Sequence, residues 1–179
     1  MKAPHGRRSI RLQGYDYSRP GAYFVTICCL GREDLLGTVM EGMASLTPVG
    51  KEILRCWEAI PRHASHVILD AYVVMPNHLH GIICLTDDGR GTPWRAPTDP
   101  VREAFGQPRS RSLPTVVRSF KTASTRAALG EDPRLGPRIW QRGYYEHVIR
   151  GEEELARIRS YIEENPARWE EDEYFEGDP

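Results

Sequence analysis

The stretch "HVILDAYVVMPNHLHGIICL", residues 66–85, decides the fold. Two apolar, β-branched runs flank Pro76-Asn77, and a turn of that chemistry between two such runs predicts a hairpin. Side chains alternate along a strand, so His78 and His80 share one face while Leu79 points the other way. Two imidazoles side by side can share one divalent ion and leave coordination positions open. The plain alternative is a pair of partly exposed histidines near a strand end, and the residues alone leave both readings open.

Outward from the hairpin, the chain alternates in type. "GAYFVTICCL", residues 21–30, is β-branched and aromatic without helical period, which predicts a buried strand. Residues 34–47 predict a short strand pair turned at Glu41-Gly42. Thr47 and Pro48 are N-cap and first helical residue of an amphipathic helix with Val49, Ile53, Trp57 and Ile60 on one stripe. After the hairpin, residues 87–111 are rich in Gly, Pro and Arg and predict a long flexible loop. "LPTVVRSFKTASTRAALG" predicts a helix, "RIWQRGYYEHVIR" a strand, and "GEEELARIRSYIEEN" a helix stopped by Pro166. Residues 170–179 form an acidic tail. The order strand, helix, strand, strand, helix, strand is the split βαβ pattern of a ferredoxin-like α+β sandwich. The expectation is an antiparallel sheet with helices on one face, extended by a C-terminal helix, all in a single domain over residues 1–179.

The chain has 179 residues, enough for one domain with a real core. No apolar run approaches the roughly 20 residues of a membrane span, and the basic, polar start is unlike a secretory signal. Four cysteines without CxxC spacing read as reduced, buried thiols of a cytoplasmic protein. The net charge of −1 hides an asymmetry. Residues 1–19 carry a net +4, residues 102–150 a net +6 and residues 151–179 a net −8. A polyanion could be held by the basic segments, or these charges are simply solvated. Arg7, Arg8 and Arg11 fall in a basic arm (residues 1–20), and Arg118, Lys121 and Arg126 recur along one helix.

A metal site usually needs a third ligand. Tyr161 and Asn165, four apart, lie on one face of the last helix. A tyrosine hydroxyl beside a metal-bound electrophile can act as a nucleophile. A boundary aromatic and a helix-ending Asn-Pro are the alternatives for the two positions. Glu146 and His147, in the strand before that helix, could orient a ligand, move a proton or make a structural hydrogen bond. Tyr144 and Tyr145 could act as alternative nucleophiles, as stacking surfaces or as core packing; Trp94 and Trp140 are candidate stacking surfaces, with core packing as the alternative for Trp140.

Three motifs, "YVVMPNHLHGII", "WQRGYYEHVIR" and "ARIRSYIEENPARW", occur in this order, after an N-terminal "RRSIRLQGYDYSRPGAYFVTIC". Together the chain resembles the single-tyrosine HUH transposases of the IS200-like type, and within them most the REP-associated tyrosine transposases, over roughly residues 7–169. The resemblance implies an enzyme that cuts and rejoins single-stranded or hairpin DNA through a 5′-phosphotyrosine. It implies His78 and His80 as metal ligands, Tyr161 as nucleophile, Asn165 as a third ligand, and Mg²⁺ or Mn²⁺ as cofactor. Arg7, Arg8, Arg11, Arg118, Lys121 and Arg126 would then grip DNA. A homodimer is compatible with this resemblance but not required by it. Two rivals remain: a catalytically silent DNA-binding protein of the same fold, and a zinc hydrolase using His78, His80 and a cysteine. Cys84 lies four residues beyond His80, about 13 Å along a regular strand, so the second rival ranks last.

Overall fold

A computed structural model describes residues 15–87 and 110–175. Arg7, Arg8, Arg11, Trp94 and nearly all of the expected loop lie outside the described residues. The main sheet contains β1 (Gly21–Cys28), β4 (Val67–Val74), β5 (His78–Leu85) and β6 (Tyr145–Ile149). Its order is β4-β5-β1-β6, and every neighbouring pair is antiparallel. The expected hairpin is β2 (Gly37–Met40) with β3 (Met43–Leu46). It turns at Glu41 and Gly42, with φ of 51° and 72°. Two consecutive left-handed residues suit the right-handed twist of a tight hairpin.

Helix α1 (Pro48–Glu58) begins as its sequence demands: Thr47 Oγ1 accepts the backbone N–H of Gly50 at 3.0 Å. The short helix α2 (Ile60–His63) follows directly. Helix α3 (Leu113–Glu131) packs beside α1. Their apolar stripes bury Ile53, Trp57, Val116, Val117 and Phe120 against Tyr23, Val25, Ile27, Leu79 and Ile83 of the sheet. Helix α4 (Glu152–Glu164) covers the opposite face, where Leu155 and Ile162 meet Ala22, Phe24, Ile82, Cys84 and Ile149. The layers are therefore two helices, a sheet, and one helix: α1 and α3 share one face as expected, and the structure places the C-terminal helix α4 on the other.

Two elements differ from the sequence-based expectation. Strand β6 is shorter than residues 138–150. Before it, the segment meets the sheet in an isolated bridge of Trp140 to Cys29, closed by Gln141 N–H to the Cys28 carbonyl at 3.0 Å and Leu30 N–H to the Ile139 carbonyl at 2.8 Å. The carbonyls of Gln141 and Gly143 are taken by the Lys121 ammonium of α3, at 2.9 Å and 2.5 Å, and not by a strand ladder. Second, Pro166 ends the α-helix but not the winding. Residues Asn165–Glu171 continue as a 3-10 helix. Proline removes one i→i−4 donor, and a tighter helix tolerates that loss over a short span. The continuation buries Trp169 and turns the start of the acidic tail back toward the sheet.

Helix α4 is clamped to β4. Arg159 donates to both carboxylate oxygens of Asp70, at 2.7 Å and 2.6 Å. The β4–β5 register shifts between Leu69 and Tyr72, so Asp70 and Ala71 sit in an irregularity that lets the carboxylate meet the helix.

Gly81 of β5 lies beneath Trp57 of α1: a Cβ there would sit 2.4 Å from the indole carbon Cζ2. Trp57 is fully buried and has nowhere to retreat. Gly81→Ala should therefore destabilise the protein by about 2–3 kcal/mol through overpacking, read as a lower urea midpoint. An unchanged midpoint would mean that α1 does not pack this closely on the sheet.

Candidate functional site

His78 and His80 are both fully buried on the α4 side of β5, with ring centroids 4.3 Å apart. Their polar partners fix how each ring presents itself. The Asn77 amide Nδ2 donates to the Tyr174 carbonyl at 2.9 Å. Asn77 Oδ1 therefore faces His78 Nδ1, 2.9 Å away, and because an amide oxygen only accepts, Nδ1 donates. His78 Nε2 is then a bare lone pair, buried, with no hydrogen-bond partner. His80 Nδ1 shares a hydrogen bond with Thr26 Oγ1 at 2.8 Å. With that nitrogen donating, His80 Nε2 is the lone pair 3.2 Å from the Tyr161 hydroxyl.

Tyr161 comes from α4, with its ring 41% exposed and its hydroxyl turned to the histidines. Asn165, one turn on, is buried, and its Nδ2 donates to Asp172 Oδ2 at 2.7 Å. Asn165 Oδ1 is buried without a hydrogen-bond partner. The expected set of His78, His80, Tyr161 and Asn165 thus converges in space within one chain.

Asp172 is the residue that sequence reasoning missed. It belongs to the acidic tail, yet its side chain is only 2% exposed and its Oδ2 lies 3.9 Å from His80 Nε2. Tyr161 Oη donates to the same oxygen at 3.4 Å. Tyr174, two residues later, lays its ring against His78 at 4.7 Å, and the Tyr174 N–H donates to Asp172 Oδ1 at 2.7 Å. The only sequence signal for Asp172 is its place seven residues after Asn165. It is lost in "EEDE", where no charge differs in kind from its neighbours.

The electrostatics follow from burial. Burial, then the adjacent His80, pushes His78 down to about 2. Burial also lowers His80, against the pull of Asp172. Both rings are neutral at pH 7, as metal ligands must be. Burial opposes ionisation of Asp172, but the hydrogen bonds from Asn165 Nδ2 and the Tyr174 N–H outweigh it and hold the carboxyl well below its usual range. Burial, and then the Asp172 charge, pushes the Tyr161 phenol above its ordinary value.

Ligand atoms of His78, His80 and Asp172 all lie within 4.8 Å of one another. Two neutral imidazoles, one carboxylate and the unpartnered Asn165 Oδ1 make a donor set that fits a divalent cation, Mn²⁺ better than Mg²⁺. Cys84 is not in that group; burial among apolar side chains pushes its thiol up to about 12. Among the described residues the geometry gives the cysteine–zinc reading no support.

The other expected residues lie apart from the histidines. Glu146 pairs with Val25 and points to the α1–α3 side. His147 shares the histidines' face but binds Glu154 through Nε2 at 2.8 Å. Helix α3 packs on the opposite face, so Arg118 and Arg126 are exposed away from His78 and His80, and the Lys121 ammonium is held by backbone carbonyls. Trp140 is core, donating through Nε1 to Ser124.

No protein-family model matches the chain. An uncharacterized protein of Haemophilus influenzae is 38% identical over 176 residues, spanning 96% of this chain and 94% of its own. Among solved structures, a REP-associated tyrosine transposase bound to a REP hairpin superposes with a TM-score of 0.56 at 21% identity, over 92% of this chain and 73% of that one. The chain has that fold. No helix among the described residues is long and apolar enough to cross a membrane.

Both histidines titrate lower in the fold than in the unfolded chain, where 6.5 applies. As pH falls below about 6.5 the unfolded chain takes up protons that the buried rings refuse, so stability is lost on acidification. Metal-free protein should lose about 1.4 kcal/mol per pH unit through His78 between pH 6 and 5, with His80 acting in the same direction, measured by urea unfolding in chelator. His78→Gln should make that dependence shallower; equal slopes for variant and parent would contradict the buried, neutral ring.

Proposed function

We propose that the chain, which belongs to the same family as its Haemophilus influenzae relative and has the fold of a REP-associated tyrosine transposase, is a metal-dependent DNA strand-transferase of the transposase type. Its substrate is single-stranded or hairpin DNA. The observation that carries this reading is the Tyr161 hydroxyl, 3.2 Å from the Nε2 of buried His80, whose ring adjoins that of His78 with its orphaned Nε2. A tyrosine that only packs would have no reason to aim its hydroxyl at an unprotonated, buried imidazole nitrogen.

His78, His80 and Asp172, with Asn165 Oδ1 adjacent, are the residues that would hold the divalent ion. When bound, the ion supplies positive charge that neutralises the scissile phosphate and favours the phenolate. The chain's own groups do the rest. The nucleophile is Tyr161 Oη: it forms a bond to phosphorus as the bond to the 3′-oxygen breaks, leaving a 5′-phosphotyrosine and a free 3′-hydroxyl. The phenol proton has an acceptor within reach in the Asp172 carboxylate, whose Oδ2 lies 3.4 Å away; His80 Nε2, at 3.2 Å, orients the hydroxyl while its lone pair is free of the ion. The leaving 3′-oxygen gains a proton. One phosphodiester replaces another, so a second 3′-hydroxyl can reverse the step and join new ends without ATP. Asn77 and Thr26 turn the imidazoles so that both Nε2 atoms face the reaction centre. The clamp between Arg159 and Asp70 fixes the helix that carries Tyr161.

The test is a covalent adduct. Hairpin oligonucleotides from the DNA flanking the gene are incubated with protein and Mn²⁺ or Mg²⁺ and run on a denaturing gel. The expected result is a metal-dependent adduct that disappears with Tyr161→Phe. Binding without any adduct, with both metals and many hairpins, would replace this reading with that of a silent DNA-binding protein.

Mn²⁺ binding by the protein alone provides a second check. His78→Ala and Asp172→Ala should each weaken it at least about tenfold, as loss of a ligand or its support does, followed by calorimetric titration. An Asp172→Ala protein with parental affinity would remove the tail carboxylate from the ligand set.

A further inference from the structure

On the β6 side of Tyr161, the sheet face and α4 enclose an open groove of about 360 Å³. That volume lies within the range of about 300–1,000 Å³ typical of small-ligand sites. Phe24 and Ile158 line its apolar part. Two rings stand steeply to Phe24: Tyr145 at 67° with centroids 6.2 Å apart, and Tyr161 at 81° and 6.1 Å. Both outer rings are exposed, Tyr145 at 43% and Tyr161 at 41%.

The remaining lining is polar: His147, Glu154 and Arg157. His147 binds Glu154 at 2.8 Å, and the other Glu154 oxygen accepts the Arg150 backbone N–H at 2.7 Å, so this pair is held in place. Arg157 is exposed and lines the groove one helical turn before Tyr161, on the same face of α4. Exposed flat rings beside an exposed guanidinium match the two parts of a nucleotide: a base with a π-face and a charged phosphodiester. The groove also shares the Tyr161 ring with the reaction centre, so a nucleotide seated there would adjoin the attacked phosphate.

We propose that this groove is the seat of a nucleotide flanking the scissile phosphate, with its base stacked on Tyr145 and its backbone against Arg157. This rests on the reading of Tyr161 as the nucleophile. Stacking tolerates any base, so Tyr145 contributes affinity and alignment for single strands and not duplex binding.

The probe is a fluorescent pool of mixed-sequence single-stranded DNA, followed by anisotropy, with the same pool as duplex for comparison. Tyr145→Ala should weaken single-strand affinity by about 5- to 100-fold, the usual effect of losing one stacking ring, with duplex binding unchanged. Tyr145→Phe, which keeps the ring, should recover most of that loss. Arg157→Ala should weaken binding and make it less salt-dependent. In a pool carrying 5-iododeoxyuridine, irradiation should cross-link the peptide that contains Tyr145. A parental urea midpoint for Tyr145→Ala, expected of so exposed a side chain, excludes unfolding as the cause. If the wild-type protein forms the Tyr161 adduct while Tyr145→Ala matches it in affinity and yield, the groove proposal alone falls. If Tyr145→Phe is as weak as Tyr145→Ala, stacking is not what the residue does, and the proposal falls too. Absence of the adduct from the wild-type protein overturns the strand-transfer reading on which the proposal rests.

Discussion

Two imidazoles share one buried sheet face, and their desolvation governs what surrounds them. A charged ring there would carry a large penalty, so both stay neutral. A neutral ring has one donor and one acceptor, and each must be accounted for. Asn77 and Thr26 engage the two Nδ1 atoms. The two Nε2 lone pairs are thereby directed to the same small volume, beneath Tyr161 and next to Asp172. An apolar strand pair would have been simpler to bury. The sheet instead keeps an unpaired nitrogen in its interior, which costs stability unless a cation occupies the site.

Helix α4 delivers the opposing chemistry. Its i, i+4 spacing sets Tyr161 and Asn165 on one face, and Arg157 one turn before them. Its apolar stripe, Leu155 and Ile162, seats that face on the sheet, and the Arg159–Asp70 clamp sets its position along β4. The 3-10 continuation after Pro166 buries Trp169 as an anchor and carries the chain back across the histidines. An acidic tail thereby becomes part of the site, with Asp172 at the imidazoles and Tyr174 against the His78 ring.

The sheet also separates functions that look contiguous in the sequence. Basic residues of α3 and the histidines lie on opposite faces, because α3 buries its stripe beside α1. Lys121 is spent on the loop that precedes β6: burial pushes its ammonium down to about 8, and two carbonyls hold it. On the α4 face, Arg159 is paired with Asp70, and the exposed Arg157, one turn before Tyr161, lines the groove of exposed rings.

The sequence by itself determined the succession of strands and helices along the chain, the shared face of His78 and His80, the Thr47 cap, and the i, i+4 relation of Tyr161 to Asn165. Each follows from local periodicity, which is a property of the backbone and needs no knowledge of the partner. Only the tertiary structure decided what closes the site. Asp172 reaches the histidines because a proline converts an α-helix into a 3-10 helix, and that rotation has no signature in composition. The tautomer of His78 depends on an amide whose orientation is set by the Tyr174 carbonyl, 97 residues away in the chain. The assignment of basic helix α3 to the far face depends on which side of the sheet accepts its apolar stripe. Contacts between distant segments fix all three, and no period along the chain encodes them.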